Sequence, residues 1–178
     1  MQIIKKISLA GDGMVGKTSL IRRYVYDQFS DKYLVTIGTK VTRKDMSLKI
    51  NNQDYDLTLM IWDIMGLTGY HSQLHKKNFN GTTGTIIVCD LTRLDTLMTL
   101  NTWKKQIEEI AGRIPAIFLV NKCDLKEQAE FTENDICEEA KKAGVPYLFT
   151  SAKTGENVEK AFVMLSEMIL KDTESLTK

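Results

Sequence analysis

The stretch Ile3-Ile4-Lys5-Lys6-Ile7-Ser8-Leu9-Ala10-Gly11-Asp12-Gly13-Met14-Val15-Gly16-Lys17-Thr18-Ser19-Leu20-Ile21 decides the reading of the fold. Its first part is a short β-like apolar run that ends at Gly11. Beyond it Leu20, Ile21 and Tyr24 fall at helical spacing. Between strand and helix, Gly11 to Thr18 reads G-x-x-x-x-G-K-T. The glycines let the backbone curl, so that successive N–H groups point inward and form a cradle for phosphate oxygens. A helix beginning near Lys17 adds the positive end of its dipole. Gly11, Asp12, Gly13, Met14, Val15, Gly16, Lys17, Thr18 and Ser19 are therefore the candidate phosphate-loop residues. Lys17 is expected at the β- and γ-phosphates, and the Thr18 hydroxyl as a ligand of Mg²⁺.

Apolar runs and helix-period segments alternate outward from this stretch. Met46, Leu48 and Ile50, then Tyr55, Leu57, Leu59 and Ile61, alternate across the turn Asn51-Asn52-Gln53-Asp54 and predict a hairpin. Thr85 to Leu91 and Ala116 to Val120 are near-continuous apolar runs, the pattern of parallel strands covered on both faces. Leu100, Trp103, Ile107 and Ile110 form one helical stripe, stopped by Gly112 and Pro115. Thr132 with Asp135 is an acidic variant of the capping box. Val145 to Phe149 reads as the last strand, and Val158 to Ile169 as the last amphipathic helix. The pattern is α/β, a P-loop NTPase architecture: a mostly parallel six-stranded sheet with one antiparallel edge strand and helices on both faces. One domain is expected over 1–170, followed by a short polar segment, 171–178.

Composition narrows the function classes. The 178 residues include 24 Lys plus Arg and 23 Asp plus Glu, a net charge of +1. That balance argues against a nucleic-acid binder, which carries a basic excess. The three cysteines, Cys89, Cys123 and Cys137, are widely spaced without a CxxC pair, so neither a disulfide framework nor a cysteine zinc site is expected. No run reaches the roughly 18 apolar residues of a membrane span. The C-terminal residues contain no cysteine to prenylate, so no intrinsic membrane anchor is expected within this chain. The expected location is the cytoplasm, with membrane contact peripheral, through partners or a tail beyond this chain.

Three further segments carry chemistry. Asp63 ends the apolar run Leu57 to Trp62, where an acid beside a phosphate loop is expected to hold Mg²⁺. Gly66, without a side chain, brings its N–H close to a γ-phosphate. Asn121-Lys122-Cys123-Asp124 and Ser151-Ala152-Lys153 each follow a later strand. The Asp124 carboxylate can accept both N1–H and the 2-amino group of guanine, whereas adenine would leave it unpaired. The Asn121 amide suits the purine's other edge, the Ala152 N–H can donate to O6, and the stems of Lys122 and Lys153 cover the base faces. A P-loop nucleoside kinase, the competing enzyme class, would need an arginine-rich lid that this sequence lacks.

Together GDGMVGKT, Thr36-Ile37-Gly38, Trp62-Asp63-Ile64-Met65-Gly66, NKCD and SAK resemble the Ras superfamily of small GTPases, closest to its Rab branch. The resemblance covers essentially the whole chain and implies a GTP/GDP switch with Mg²⁺. By it, Phe29 packs against guanine, Thr36 closes over the γ-phosphate and Mg²⁺, and Lys17, Thr36 and Gly66 act at the reacting phosphate. Effector, exchange-factor and activating proteins are expected to engage Tyr33–Thr39 and Gly66–Lys77. The chain also departs from the family. Leu67 stands where a glutamine orients the attacking water, so slow intrinsic hydrolysis is expected. The alternative is a GTP-binding scaffold with little or no hydrolysis. Met65 replaces a small alanine, and Thr39-Lys40-Val41 replaces Val-Asp-Phe. Asp90 reads as a structural loop acid.

Overall fold

A computed structural model describes residues 2–32, 36–66 and 72–176. Six strands form one sheet: β1 (Gln2–Ala10), β2 (Thr39–Ile50), β3 (Gln53–Ile64), β4 (Gly84–Asp90), β5 (Ala116–Asn121) and β6 (Tyr147–Phe149). Their spatial order is β2-β3-β1-β4-β5-β6. β2 pairs antiparallel with β3, and the remaining neighbours are parallel. The expected mixed sheet is therefore present. The helices are α1 (Lys17–Tyr26), α2 (Ser72–Phe79), α3 (Leu94–Met98), α4 (Leu100–Ala111), α5 (Glu133–Ala143) and α6 (Val158–Leu176).

Alternation along the central strands sorts side chains into two cores. Ile86 and Val88 of β4, with Ile117 and Leu119 of β5, join Leu20, Ile21, Phe162 and Leu165 beneath α1 and α6. Their neighbours Ile87, Cys89, Phe118 and Val120 join Leu100, Trp103, Ile107 and Ile136 on the other face. Every residue of β4 and β5 is buried. That is why both strands read as continuous apolar runs rather than alternating ones.

The hairpin runs further than the apolar alternation predicts. Its ladder extends from Thr39 opposite Ile64 to Ile50 opposite Gln53. Only Asn51 and Asn52 turn, with φ of 50° and 64°, the left-handed pair of a type I′ turn that matches the strands' twist. Gln53 and Asp54, expected in the turn, are paired strand residues. The segment 171–178, set apart as a polar tail, is helical through Leu176. Lys5 Nζ donates to Thr173 Oγ1 at 2.9 Å and Tyr55 OH donates to Glu174, which hold this last turn against β1 and β3.

Candidate active site

α1 begins directly where β1 and its loop end, so Lys17 and Thr18 stand at the carboxyl edge of the sheet. The loop passes beneath β5, and a Cβ on Gly16 would lie 2.2 Å from Asn121 Nδ2. A Cβ on Gly66 would lie 2.5 Å from the carbonyl oxygens of Gly11 and Asp12. Glycine at these two positions is what lets the three segments close on one another.

Lys17 Nζ donates to the Gly11 and Asp12 carbonyls at 2.7 Å each, curled over its own loop. Burial pulls its pKa down to about 8, although the negative charges of Asp63 and Asp12 oppose the shift. At the first turn of α1, Thr18 Oγ1 donates to Asp63 Oδ2 at 2.5 Å and lies 2.9 Å from Thr36 Oγ1. Asp63 is 2% exposed, and its Oδ1 has no hydrogen-bond partner among the described residues. Burial raises its carboxyl above the usual range, against the Thr18 hydrogen bond and the charges of Lys17 and Lys40. Two hydroxyls converging on a buried carboxylate with a spare oxygen make a hard oxygen donor set, which fits a small divalent cation.

The opposite end of the site is built from the loops after β5 and β6. Asn121 Nδ2 donates to the Val15 carbonyl at 2.9 Å, and its Oδ1 accepts from the Ala152 N–H at 3.3 Å. Asn121 therefore ties the phosphate loop to the last strand's loop and keeps one N–H for another partner. Ser151 Oγ donates to Asp124 Oδ1 at 2.6 Å, leaving the exposed carboxylate's other oxygen open. Lys122 Nζ pairs at 2.5 Å with Asp90, which is fully buried. Asp90 Oδ1 also accepts from the Thr92 N–H and hydroxyl, so it organises its own loop, as expected.

A cleft of about 910 Å³ joins the two ends. Asp12, Gly13, Met14, Gly16, Lys17, Thr18, Ser19, Phe29, Thr36, Gly66, Asn121, Lys122, Asp124, Ala152 and Lys153 line it together. Gly11, Val15, Asp63 and Ser151 lie behind its wall: Val15 is in the core under α1, and Ser151 supports Asp124. Tyr33 and Leu67 lie outside the described residues. Three contacts escaped the reading of the sequence. The Asp12 carboxylate turns inward, accepting from Trp103 Nε1 and Thr99 Oγ1 at 2.9 Å each. Arg93 Nη1 donates to the Gly13 carbonyl at 2.9 Å. Arg23 binds the loop after β6. No signal in the sequence pairs these residues, because each contact joins segments far apart in the chain.

Comparison with known proteins follows the same span. The family model described as Ras family matches residues 6–171. The chain is 33% identical over 180 residues to Ras-related protein Rab-27B of Rattus norvegicus, covering 97% of this chain and 82% of that one. It is 33% identical over 166 residues to Rab-21 of Geodia cydonium, covering 93% and 70%. With Rab-32A of Dictyostelium discoideum the identity is 35% over 181 residues, covering 96% and 80%.

Proposed function

The chain belongs to the Ras family as a Rab-like small GTPase, and from that premise we propose that it is a guanine-nucleotide switch whose unaided hydrolysis of GTP to GDP and phosphate is slow. The observation that carries the reading is the convergence of Thr18, Thr36 and the half-partnered Asp63 at the start of α1, beside the buried Lys17 ammonium.

In this reading Lys17 leaves its two carbonyls for the β- and γ-phosphates, where an anion compensates the burial that depresses its pKa. The amides of Gly13 to Ser19 and of Gly66 hold the phosphate oxygens in place as charge shifts during transfer. Thr18, Thr36 and Asp63 would hold Mg²⁺, which when bound would neutralise phosphate charge. Asp124, oriented by Ser151, accepts N1–H and the 2-amino group of guanine. Asn121 supplies its second N–H to the ring, Ala152 its amide to O6, and Phe29, Lys122 and Lys153 flank the base. Effectors, exchange factors and activating proteins engage Tyr33–Thr39 and Gly66–Lys77. Ile37, 90% exposed within the first of these, offers an apolar contact there.

Leu67 bears on the rate. Its side chain has neither donor nor acceptor, so it cannot orient an attacking water. That residue also favours a second reading, a GTP-binding module that signals by loading and release alone. Single-turnover phosphate release from GTP with Mg²⁺, with and without cell extract, separates the two. The switch reading expects slow release that extract accelerates. Absence of phosphate release under both conditions would leave the scaffold reading.

A further inference from the structure

One guanidinium on α1 reaches across the molecule to the loop after β6. Arg23 Nε donates to the Ala152 carbonyl at 2.8 Å and Nη2 to the Lys153 carbonyl at 2.7 Å. Its third nitrogen, Nη1, donates to Asp27 Oδ1 at 2.8 Å, one helical turn on. The side chain is 19% exposed, and its stem passes 3.7 Å from where a Cβ on Gly155 would be. The two carbonyls belong to the peptide planes on either side of Lys153. Two parallel N–H donors in a rigid plane fix both planes at once, which a flexible ammonium cannot do. Ser151, at the near end of the loop, is held independently: its N–H donates to the Glu156 carbonyl, and its Oγ accepts from the Thr154 N–H. The Ala152 N–H lies in the preceding peptide plane, where it donates to Asn121 Oδ1 at 3.3 Å and the Ser151 carbonyl accepts from the Gly155 N–H at 2.8 Å. Arg23 thus fixes the plane after Ala152, and the two sets of bonds together set where its amide is directed.

We infer that Arg23 is the positioning residue for the base-recognising loop: held by α1, it aims the Ala152 N–H and the Lys153 stem and so slows the escape of bound nucleotide. The inference rests on the guanine reading of the cleft. It also gives α1 a double task, since the same helix carries Lys17 and Thr18 at its first turn and this clamp at its last. Asp27, 90% exposed, is the clamp's dispensable partner.

The test uses the purified full chain loaded with GDP and Mg²⁺, comparing wild type, Arg23→Lys and Asp27→Asn. Release is followed for GDP and for 6-thioguanosine diphosphate, which keeps N1–H and the 2-amino group but offers a poor acceptor at position 6. Arg23→Lys is expected to release GDP about tenfold faster and to lose a similar factor of preference for GDP over the thio analogue. Asp27→Asn is expected to stay within about twofold of wild type, because the Ala152 and Lys153 bonds remain. Release of GDP from Arg23→Lys at the wild-type rate overturns the inference. So does equal acceleration for both ligands, the signature of general loosening. Wild type that fails to retain GDP overturns the guanine reading and this inference with it.

Discussion

The Asp12 carboxylate sits inside the phosphate loop, yet both its oxygens are turned into the protein, toward Trp103 on α4 and Thr99 just before it. Replacing Trp103 by Phe keeps most of the ring's bulk but strands one carboxylate oxygen in a site that is 5% exposed. The expected loss is about 1–3 kcal/mol in urea denaturation. A change below about 0.5 kcal/mol would mean that water replaces the indole N–H at no cost. At the base end, Asp124→Ala removes an acceptor of two N–H groups and is expected to weaken GDP binding at least about a hundredfold by equilibrium titration. Leu67→Gln restores a group able to orient water and is expected to raise single-turnover GTP hydrolysis. An unchanged rate would mean that the segment is organised differently from the family's. The close approach at the glycines was legible in the sequence because the tight loop before α1 is a backbone structure that few residues can adopt. The direction of the Asp12 side chain was not, since G-x-x-x-x-G-K-T places no constraint on its partner. Trp103 read only as a member of an apolar stripe.

Among the elements, α5 is the one whose start the sequence specifies most locally. Asp135 Oδ2 accepts from the Thr132 N–H at 2.7 Å, closing the predicted capping box. Those hydrogen bonds, from the Thr132 backbone first and its hydroxyl second, hold the Asp135 carboxyl below the usual carboxylate range. A folded pKa below the unfolded one binds fewer protons, so the stabilisation is fully present above the unfolded value of about 4. It fades as pH falls through the lower folded value. Asp135→Asn is therefore expected to be less stable than wild type in denaturant at pH 7, with the gap closing in acid. A gap independent of pH would show that the charge of Asp135 plays no part. The β2–β3 hairpin and α6 mark where local reading runs short. From Thr39 to Asp45 only Val41 is apolar, too little to mark an alternation, so the ladder's far end is set by pairing with β3. The last turn of α6 depends on Lys5 and Tyr55, both more than a hundred residues away in sequence.

At the scale of the molecule, two apolar layers sandwich one sheet, and the site lies along the carboxyl edge where β1, β3, β5 and β6 end. The continuous runs of β4 and β5 announced this architecture directly. What joins the layers was hidden, because it depends on close approach rather than pattern. Gly84 in β4 is an example: a Cβ there would lie 2.5 Å from Ile169 Cδ1 of α6. Gly84→Ala is expected to cost about 1–3 kcal/mol through overpacking. Combined with Ile169→Ala, which opens space at the same point, the loss should fall short of the sum by about 0.5–3 kcal/mol. Strict additivity in denaturation would contradict that contact. The central claim is that this cleft selects guanine nucleotides through Asp124, and competition against a fluorescent GDP analogue, with Mg²⁺ and the purified chain, tests it most directly. GDP and GTP are expected to displace the analogue, with ATP weaker by at least about a thousandfold, whereas displacement by ATP as readily as by GDP would contradict the account.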